Sequence, residues 1–467
     1  MKWIYFLKKR LDKHSPYGLT LTIGIFLCAY FFSHFISTLY QIYTASRFVA
    51  AEPQIIALLQ AYIPRSFHSF FLVLTLLANI KVLLVVGVIS ILIFIAHRKP
   101  IETAYFLLST GLGIFSSITL KYLIDRERPN FAHLIAIPLS GSFPSGHALF
   151  AICFYGFLLY LLFRTLHGLV FKFFIVVLAL FLVIGIGFSR VYLGVHFPTD
   201  VFAGWYLGLV VLTVSVTLYE MHQRIQMLPS QPSRGKKTVM LLIMVFGVIA
   251  FIATLASEYR TMTARAEAGL QEITLDQFIS SESLYSQDFY GKRMEPFSFL
   301  VVGTEEELVG VFAAAGWKRA ENPTIANFIK LSTAVAQNSS YPTAPVTPAF
   351  YNGSVHAIAF EEETEEKTAR KRHHARYWKT RFSVGGKQVW VGTASKDIDV
   401  VISSFITLPT HTIDPAIDTE REYISGQLGS TGLIVQQKKI DLVGSVTGIN
   451  ASGSNFHTDG WAYVFQL

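Results

Sequence analysis

Apolar residues dominate the first half of this chain in long blocks, and polar residues are confined to short stretches between them. Seven of these blocks reach the length that an α-helix needs to cross a bilayer, allowing for tilt. They lie at 19–40, 70–96, 102–120, 147–165, 169–188, 197–218 and 238–256. From residue 257 onward the pattern changes to short alternating segments. The sequence therefore predicts an all-α polytopic membrane bundle followed by a soluble domain of mixed α and β structure.

The soluble part carries signals for both strands and helices. Phe297–Val302 has the pattern of a strand, and Thr304 with Glu307 forms a capping box that would open a helix. Two glycine-containing pairs between strand-like runs carry the signal of hairpin turns: Asn352-Gly353 and Gly385-Gly386. A sheet with few helices is the expected result.

The formal net charge is +8, and much of the excess lies in short segments beside the apolar blocks. Basic clusters precede the first block, follow the second at Arg98-Lys99 and precede the seventh. Such clusters mark the cytoplasmic side of a membrane protein, so membrane topology explains the charge and no nucleic-acid partner is expected. Seven spans from a cytoplasmic N-terminus place residues 257–467 on the opposite side.

The first apolar block has full spanning length and is not followed by an obvious small-residue cleavage site. This favours an uncleaved helix over a cleaved signal peptide. Both cysteines, Cys28 and Cys153, fall within apolar blocks. We therefore expect neither a disulfide framework nor a cysteine metal site in the soluble domain. The two thiols are expected to pack as small apolar side chains.

The first of three polar islands is Lys121 with Arg128-Pro129. On a continuing helix, the two cations would be separated by about 10 Å of rise, and Pro129 would stop the helix after Arg128. Both side chains are long enough to reach one phosphate, Lys as a point charge and Arg as a bidentate fork. The alternative is a pair of snorkelling cations at the end of a span.

The second island, Pro144-Ser145-Gly146-His147, lies immediately before a long apolar helix. Ser145 is a plausible N-cap, and Gly146 lets the backbone approach an anion closely. Helix N-termini bind phosphate through free amides, and His147 would stand near enough to donate a proton to a leaving oxygen. The alternative is a capped helix with an interfacial histidine.

The third island is Ser189-Arg190 with His196 and Asp200 downstream. Pro198 fits the first turn of the sixth span and places Asp200 near its N-terminus. Asp200 can accept a hydrogen bond from one imidazole nitrogen of His196 and hold the other nitrogen toward phosphorus. The alternative is that Arg190, His196 and Asp200 have only structural roles. They would then lie by chance at the edge of a bundle that already holds Lys121 and His147.

Together the islands suit phosphoryl transfer. His196 would attack phosphorus, and His147 would protonate the departing oxygen and then act as base for the water that hydrolyses the phosphohistidine. The groups expected to hold the phosphoryl oxygens are Lys121, Arg128, Arg190 and the amides of Ser145 and Gly146. Because three fixed cations take the electrostatic role that Mg²⁺ has in kinases, neither a metal nor another cofactor is expected.

The islands resemble the tripartite signature of the type 2 phosphatidic acid phosphatase (PAP2) superfamily. That signature is Lys, six residues, Arg-Pro; then Pro-Ser-Gly-His; then Ser-Arg, five residues, His, three residues, Asp. Every element is present, with both internal spacings intact, and the resemblance covers roughly residues 20–220. It implies a six-helix core, a lipid phosphate or diphosphate substrate, and His196 as nucleophile. The superfamily also contains vanadate-dependent haloperoxidases, but these are soluble, so the spans argue against that chemistry.

The soluble domain has one notable cluster of ionisable residues. Its members are Arg372, His373, His374, Arg376, Trp378, His411, Asp414, Asp418, Glu420 and Arg421. Adjacent histidines in a strand point to opposite faces, so at most one of His373 and His374 could join His411 as a Zn²⁺ ligand. Asp414-Pro415 is also a good helix start, which would make Asp414 an N-cap. A metal site, an anion or sugar-phosphate pocket and a structural cluster all stay open.

This region resembles the LssY C-terminal domain, which is appended to membrane phosphatases of the same superfamily. The matching residues are Gly316-Trp317, Arg372-His373-His374, Val389-Trp390-Val391-Gly392, His411 and Ile413-Asp414-Pro415. The resemblance implies an accessory role without naming a ligand. The candidate accessory site comprises His373, His374, Arg376, His411 and Asp414.

The expected organisation has five parts. They are a basic cytoplasmic N-terminus (1–18), a six-helix phosphatase domain (19–218), a cytoplasmic linker (219–237), a seventh, tethering helix (238–256) and the exported domain (257–467). The expected protein is a lipid phosphatase of a bacterial inner membrane, with its site and C-terminal domain in the periplasm. Its expected partners are the bilayer, a membrane lipid phosphate and an envelope protein bound through the C-terminal domain. The rival is a non-catalytic scaffold that only holds a lipid phosphate.

Overall fold

The computed structural model describes residues 10–12, 15, 17–129, 133–135, 140–226, 237–264, 270–402, 409–450 and 452–467. They fall into two compact units: Met1–Glu52 with Ile63–Glu267, and Pro53–Tyr62 with Ala268–Leu467. The predicted linker prolines Pro229 and Pro232, and the basic residues before Arg10, lie outside the described residues.

Helices make up the first unit. They are α1 (Leu19–Tyr43), the start of α2 (Arg47–Tyr62), α3 (His68–Leu77), α4 (Ile80–Ala96), α5 (Pro100–Ile124), α6 (Gly146–Phe150), α7 (Phe157–Thr165), α8 (Leu169–Tyr192), α9 (Pro198–Gln226) and α10 (Lys237–Ala264). A 3₁₀ turn, Arg65–Phe67, precedes α3, and a π-helical segment, Ala151–Gly156, joins α6 to α7.

Within the described residues, six helical segments are long and apolar enough to cross a membrane. They are Leu19–Tyr43, Pro100–Ile124, Gly146–Thr165, Leu169–Tyr192, Pro198–Ile225 and Leu241–Met262. The segment predicted as one span over 70–96 is instead broken, because Arg65–Leu77 and Ile80–Ala96 meet at 53°. Asn79 caps α4 by accepting from the Lys81 amide at 2.9 Å, which explains the new helix start. Counting this bent pair as one span gives seven.

Helix α9 packs against α1, α5 and α6, and so brings the third polar island to the second. Gly204 makes this approach possible, because a Cβ atom there would lie 2.6 Å from the Ser145 carbonyl oxygen. Phe35, Phe143 and Leu149 form part of the apolar cluster around this contact. A side chain at position 204 would therefore push α9 away from the start of α6.

The second unit is built on a nine-stranded sheet with the order β12-β15-β4-β10-β9-β8-β5, to which β1 and β11 add at β9 and β10. Its strands are β1 (Gln271–Glu272), β4 (Phe299–Val302), β5 (Lys318–Arg319), β8 (Ile358–Thr368), β9 (Lys371–Val384), β10 (Lys387–Ile402), β11 (Pro409–Ile413), β12 (Gln436–Asp441) and β15 (Trp461–Gln466). The remaining strands form two small sheets: β2 (Tyr285–Gln287), β3 (Arg293–Pro296), β6 (Phe350–Tyr351) and β7 (Ser354–Val355), and β13 (Val446–Ile449) with β14 (Asn455–Thr458).

Four helices accompany the sheets: α11 (Leu275–Ser281), α12 (Glu305–Ala314), α13 (Ile325–Ala336) and α14 (Ile417–Gly429). The large sheet is covered on both faces, with Trp390 in one apolar cluster and Trp378 in the other. The prediction of a mixed α/β domain is confirmed. So are the capping box of Thr304 and Glu307 and the hairpins β6–β7 and β9–β10.

Candidate active site

The first island is held by the loop that precedes α6. Lys121 lies in the last turn of α5, and its Nζ donates to the Gly141 carbonyl at 2.5 Å. The prediction that the helix continues to Arg128 is wrong, because α5 ends at Ile124 and Asp125 adopts a left-handed backbone with φ of 39°. Arg128 instead folds back, donating from Nε to the Ser140 carbonyl at 2.8 Å. Both cations are thus matched to neutral acceptors.

The second island opens α6. Ser145 occupies the N-cap position, but its side chain makes no capping bond, and its buried Oγ has no partner among the described residues. Its amide donates to the backbone oxygen of Asp200 at 2.9 Å, which fixes the helix start against α9. His147 is half-buried in the first turn. The Ser145 hydroxyl is therefore available to a ligand at the N-terminus of the helix.

In the third island, His196 lies in the loop between α8 and α9, only 2% exposed. Its Nε2 lies 3.2 Å from Nη1 of Arg128, and its Nδ1 lies 3.5 Å from Oδ2 of Asp200. The predicted hydrogen bond from His196 to Asp200 is not made, because Nδ1 has no hydrogen-bond partner among the described residues and the carboxylate instead accepts from Arg126 and the Phe197 amide. Since an arginine only donates, Nε2 accepts and the proton resides on Nδ1, facing the carboxylate. The unprotonated nitrogen thus faces the cation that would bind a phosphoryl group.

Burial lowers the pKa of His196 well below its ordinary value, and the charges of Arg190, Arg128 and Lys121 lower it further. The imidazole is consequently neutral near pH 7 and has a free lone pair on Nε2. The three islands meet through the contact of Arg128 with His196 at 3.2 Å and the hydrogen bond from the Ser145 amide to the Asp200 carbonyl at 2.9 Å.

Arg190 comes from the last turn of α8 and is 2% exposed. Its Nη1 donates to Oγ1 of Thr75 at 2.6 Å, so α3 holds the guanidinium in place. Its Nε is buried and has no acceptor among the described residues. One edge of the guanidinium is therefore unused and can serve an anionic oxygen.

Two residues that the sequence reading passed over complete the arrangement. Arg126 donates from Nη1 to Oδ1 of Asp200 at 2.7 Å and from Nη2 to Oε2 of Glu52 at 2.7 Å. Glu52, fully buried, also accepts from the amide and hydroxyl of Thr199 at 2.7 and 2.6 Å. Asp200 further accepts from the Phe197 amide at 3.0 Å. Arg126 lies inside the first island, two residues before Arg128. Its positive charge at that place was the sequence signal that could have identified it.

In the soluble domain, the two adjacent histidines separate as strand alternation requires. His374 and His411 approach the same carboxylate, with Nδ1 of each at 3.2 and 3.7 Å from Asp397. His373 instead contacts Glu420 at 2.9 Å. No group of three or more His, Cys, Asp and Glu side chains in the described parts of the chain is arranged to hold a metal ion.

Asp414 is not the N-cap that the sequence suggested. Helix α14 begins at Ile417, and the Asp414 carboxylate accepts from the Ala416 amide at 2.9 Å in the turn before it. Asp414 therefore shapes the approach to α14.

Comparison with known proteins agrees with both resemblances. The PAP2 superfamily model matches residues 102–224, which include all three polar islands, and the LssY C-terminus model matches residues 280–461. Phosphatidylglycerophosphatase B of Bacillus subtilis (strain 168) is 41% identical over 115 residues. That alignment covers 24% of this chain and 56% of the relative, so the chain spans about half the length of the curated relative it matches.

Two solved structures are also similar. One is the crystal structure of a transmembrane PAP2 type phosphatidylglycerolphosphate phosphatase from Bacillus subtilis, with 28% identity over 42% of this chain and 94% of that chain and a TM-score of 0.35. The other is that of Aquifex aeolicus LpxE, with 26% identity over 35% of this chain and 92% of that chain and a TM-score of 0.28.

Proposed function

We propose that this chain, which carries a PAP2 superfamily segment and an LssY-type C-terminal segment, is a membrane lipid phosphatase. The observation that carries the proposal is the setting of His196. The ring is buried, faces Asp200 with one nitrogen and Arg128 with the other, and is kept neutral by its surroundings. A neutral imidazole with an oriented lone pair beside fixed cations is what a phosphorus nucleophile requires.

The reaction follows from this geometry in two displacements. Nε2 of His196 attacks phosphorus, the bond from phosphorus to the lipid oxygen breaks, and His147 gives that oxygen a proton. Asp200 stabilises the charge that the ring acquires, through the Nδ1 proton. Water then attacks the phosphohistidine, His147 takes a proton from it, and inorganic phosphate leaves with the ring neutral again.

Substrate binding would rearrange the existing contacts of the cations. Lys121 and Arg128 now donate to carbonyl oxygens, which are neutral acceptors. A phosphate oxygen is a stronger acceptor because it is charged, so the substrate can take over part of these bonds. The unused Nε of Arg190 and the unpartnered Ser145 hydroxyl need no rearrangement.

The substrate is a phosphomonoester or diphosphate of a membrane lipid. The candidates are polyprenyl diphosphate, phosphatidylglycerophosphate, phosphatidic acid and a lipid A phosphate. Phosphatidylglycerophosphate is the first to test, because the similar Bacillus protein is named for its hydrolysis. The islands bind only the phosphate, so the tail and headgroup are selected elsewhere.

The site and the C-terminal domain are proposed to face the periplasm of a bacterial inner membrane. The support is the basic pair Arg98-Lys99 at the end of α4 and the count of seven spans when the bent pair α3–α4 is one of them. We also propose that the C-terminal domain binds an envelope protein.

The decisive experiment measures phosphate release by the detergent-purified chain from the four lipid classes, with His196→Asn as the blank. We expect release from one class and a loss of at least about 10³-fold in the variant, because the nucleophile is gone. Lipid binding, measured separately, should persist in the variant. Equal release by both proteins would refute the role of His196. Binding without release by the unaltered chain would favour the rival, a non-catalytic lipid-phosphate scaffold.

A further inference from the structure

Two arginines on one face of β9 differ in their carboxylate partners. Arg372 and Arg376 are four residues apart on a strand, so both side chains lie on the same face of the large sheet. Arg372 is 2% exposed and is paired with Glu361 at 2.6 Å and with Asp397 at 3.0 Å. Its charge is therefore balanced inside the protein.

Arg376 forms no such pair, although the charges of Glu295 and Asp397 act on it from a greater distance. Its neighbours across the sheet are Ala359 on β8 and Thr393 on β10, neither of which carries a charge. Its guanidinium forms no hydrogen bond or ion pair with any residue in the described parts of the chain, and its Nε is buried without an acceptor. A half-buried cation with an unpartnered Nε is costly unless water or a ligand satisfies it.

The same pocket contains an equally underused carboxylate. Glu295 of β3 lines it with Arg376, is 4% exposed and accepts only a hydrogen bond of 3.3 Å from Ser286 among the described residues. In the described parts of the chain, the Glu295 carboxylate and Arg376 line this pocket without forming an ion pair. Arg372 and Asp397 line the same pocket but pair with each other at 3.0 Å, which leaves Glu295 and Arg376 open to a bridging molecule.

The turn that follows β13 adds polar groups to this pocket through Asn450 and Ser452. Oδ1 of Asn450 already accepts from the amides of Ser452 and Ser454, at 3.0 Å each. Its side-chain NH₂ is therefore the part left to donate. The pocket thus offers donors from Arg376 and Asn450 and an acceptor from Glu295.

We propose that this pocket binds a phosphate oxyanion that still carries a P–OH hydrogen. Arg376 and Asn450 donate to its oxygens, and Glu295 accepts from its hydroxyl. An ionised carboxylate only accepts, so it repels an oxyanion without hydrogen, such as sulfate. Inorganic phosphate keeps a hydroxyl at neutral pH, whereas a phosphate monoester loses its last one near pH ~6. The site is separate from the membrane site and does not depend on the proposed phosphatase activity.

The experiment is calorimetric titration of the full chain in detergent, carrying Arg128→Gln and Arg190→Gln so that the membrane site no longer binds phosphate. The probes are inorganic phosphate, sulfate and glycerol 3-phosphate. We expect saturable binding of phosphate at pH 7 and at least about tenfold weaker binding of sulfate, since a charged hydrogen bond is replaced by repulsion. Glycerol 3-phosphate should bind more tightly at pH 5.5 than at pH 7.5. This separates a free phosphate site, which works at both pH values, from a site for a monoester headgroup.

Three variants in that background locate the site. Arg376→Gln should weaken phosphate binding at least about tenfold, because the bidentate donor is lost. Glu295→Gln should abolish the preference for phosphate over sulfate, since an amide can donate as well as accept. Arg381→Gln is the matched control, because Arg381 lies on the same strand but is exposed and paired with Glu282 at 3.1 Å. It should bind phosphate as before.

The proposal fails if the background chain binds no phosphate, if Arg376→Gln binds as tightly as the control, or if sulfate binds as tightly as phosphate. Circular dichroism of each variant checks that it folds. If Arg376→Gln does not fold, the phosphate and sulfate affinities of Glu295→Gln alone decide. Loss of phosphatase activity in an otherwise unaltered His196→Asn chain leaves these titrations unaffected, so the two proposals fail independently.

Discussion

The membrane unit and the soluble unit each bury a cluster of charges, but they neutralise their cations by opposite means. Among the described residues, Lys121, Arg128 and Arg190 have no carboxylate partner and donate to carbonyl or hydroxyl oxygens. Arg372 in the soluble unit is held by two carboxylates. Neutral acceptors are easily displaced by a charged oxygen, whereas carboxylates are not. We infer that the kind of acceptor separates the cations proposed to bind a ligand from those that stabilise the fold.

The carboxylates follow the same division. Asp200 belongs to the membrane cluster, but Arg126 donates to one of its oxygens at 2.7 Å, so this oxygen does not compete for the cations proposed to bind phosphate. In the soluble cluster, Glu361 and Asp397 share Arg372, and Asp397 also lies close to His374 and His411. The first cluster isolates its negative charge behind one dedicated arginine. The second distributes its negative charges among several partners.

The largest expected effect is that of Asp200→Asn. The amide keeps the shape of the carboxylate but no longer stabilises a positive imidazole ring, and the same change in the serine protease triad costs about 10⁴ in kcat. We expect a loss of that order in kcat with little change in KM. Steady-state kinetics on the substrate found in the lipid panel measures it. A KM effect alone would make Asp200 a binding residue, against the division drawn above.

The soluble cluster should respond in stability instead of rate. Arg372→Leu leaves Glu361 and Asp397 without their cation, and breaking a buried ion pair in this way costs about 3–5 kcal/mol. Hydrogen exchange of the β9 and β10 amides should accelerate accordingly, while lipid phosphate hydrolysis by the membrane unit continues. The exposed Lys371, paired with Glu366 on the protein surface, provides the control through Lys371→Leu. Unchanged protection in Arg372→Leu would mean that the pairing is dispensable.

Because Arg126 bridges Asp200 and Glu52, we expect it to position the site, and Arg126→Lys tests this role. A lysine cannot bridge Asp200 and Glu52 with two separate nitrogens, so we expect kcat to fall about 10²-fold through misorientation of His196. KM should change less than threefold, which a general folding defect would not reproduce. Arg164→Lys, at a partly exposed pair with Glu220 in the same unit, is the matched control. A parallel loss in both variants would contradict the assignment.

The pH profile provides a smaller effect with a definite sign. Because the pKa of His196 is lowered by burial and by three cations, the acid limb of kcat/KM should lie well below pH 6.5. Removing one positive charge with Arg128→Gln favours the protonated ring, so its pKa rises and the limb moves to higher pH, by about one unit. If the acid limb moves to lower pH or does not move, the group that titrates there is not His196.

The smallest expected effect is that of chelation. If fixed cations provide the electrostatic stabilisation, EDTA should leave phosphate release within about twofold of its untreated value. Inhibition that a divalent ion reverses would contradict the metal-independent mechanism.

The sequence predicted the starts of α6 and α9 well because a motif of a few residues at a helix start fixes its own geometry, whereas α5 ends before Arg128 and the Ser145 side chain makes no capping bond. The start of α9 at Pro198, with Asp200 in its first turn, is an example. Prediction failed where distant residues decide. Glu52 could not be linked to Arg126 from the chain alone, and the break at Asn79 depends on a polar residue whose side chain also reaches Glu258 at 3.2 Å. In the soluble domain, alternation placed His373 and His374 on opposite faces, but nothing local indicated that Asp397 would meet His374 and His411.

That alternation has a consequence for how this domain can evolve. Positions along β9 can be exchanged one at a time, because each exchange alters a single face. Insertion or deletion of one residue before His373 would instead move every following side chain to the other face. Arg376 would then enter the apolar cluster of Phe312 and Trp390, and Tyr377 would enter the polar pocket. We therefore expect related domains to vary in residue identity along this strand while conserving its length.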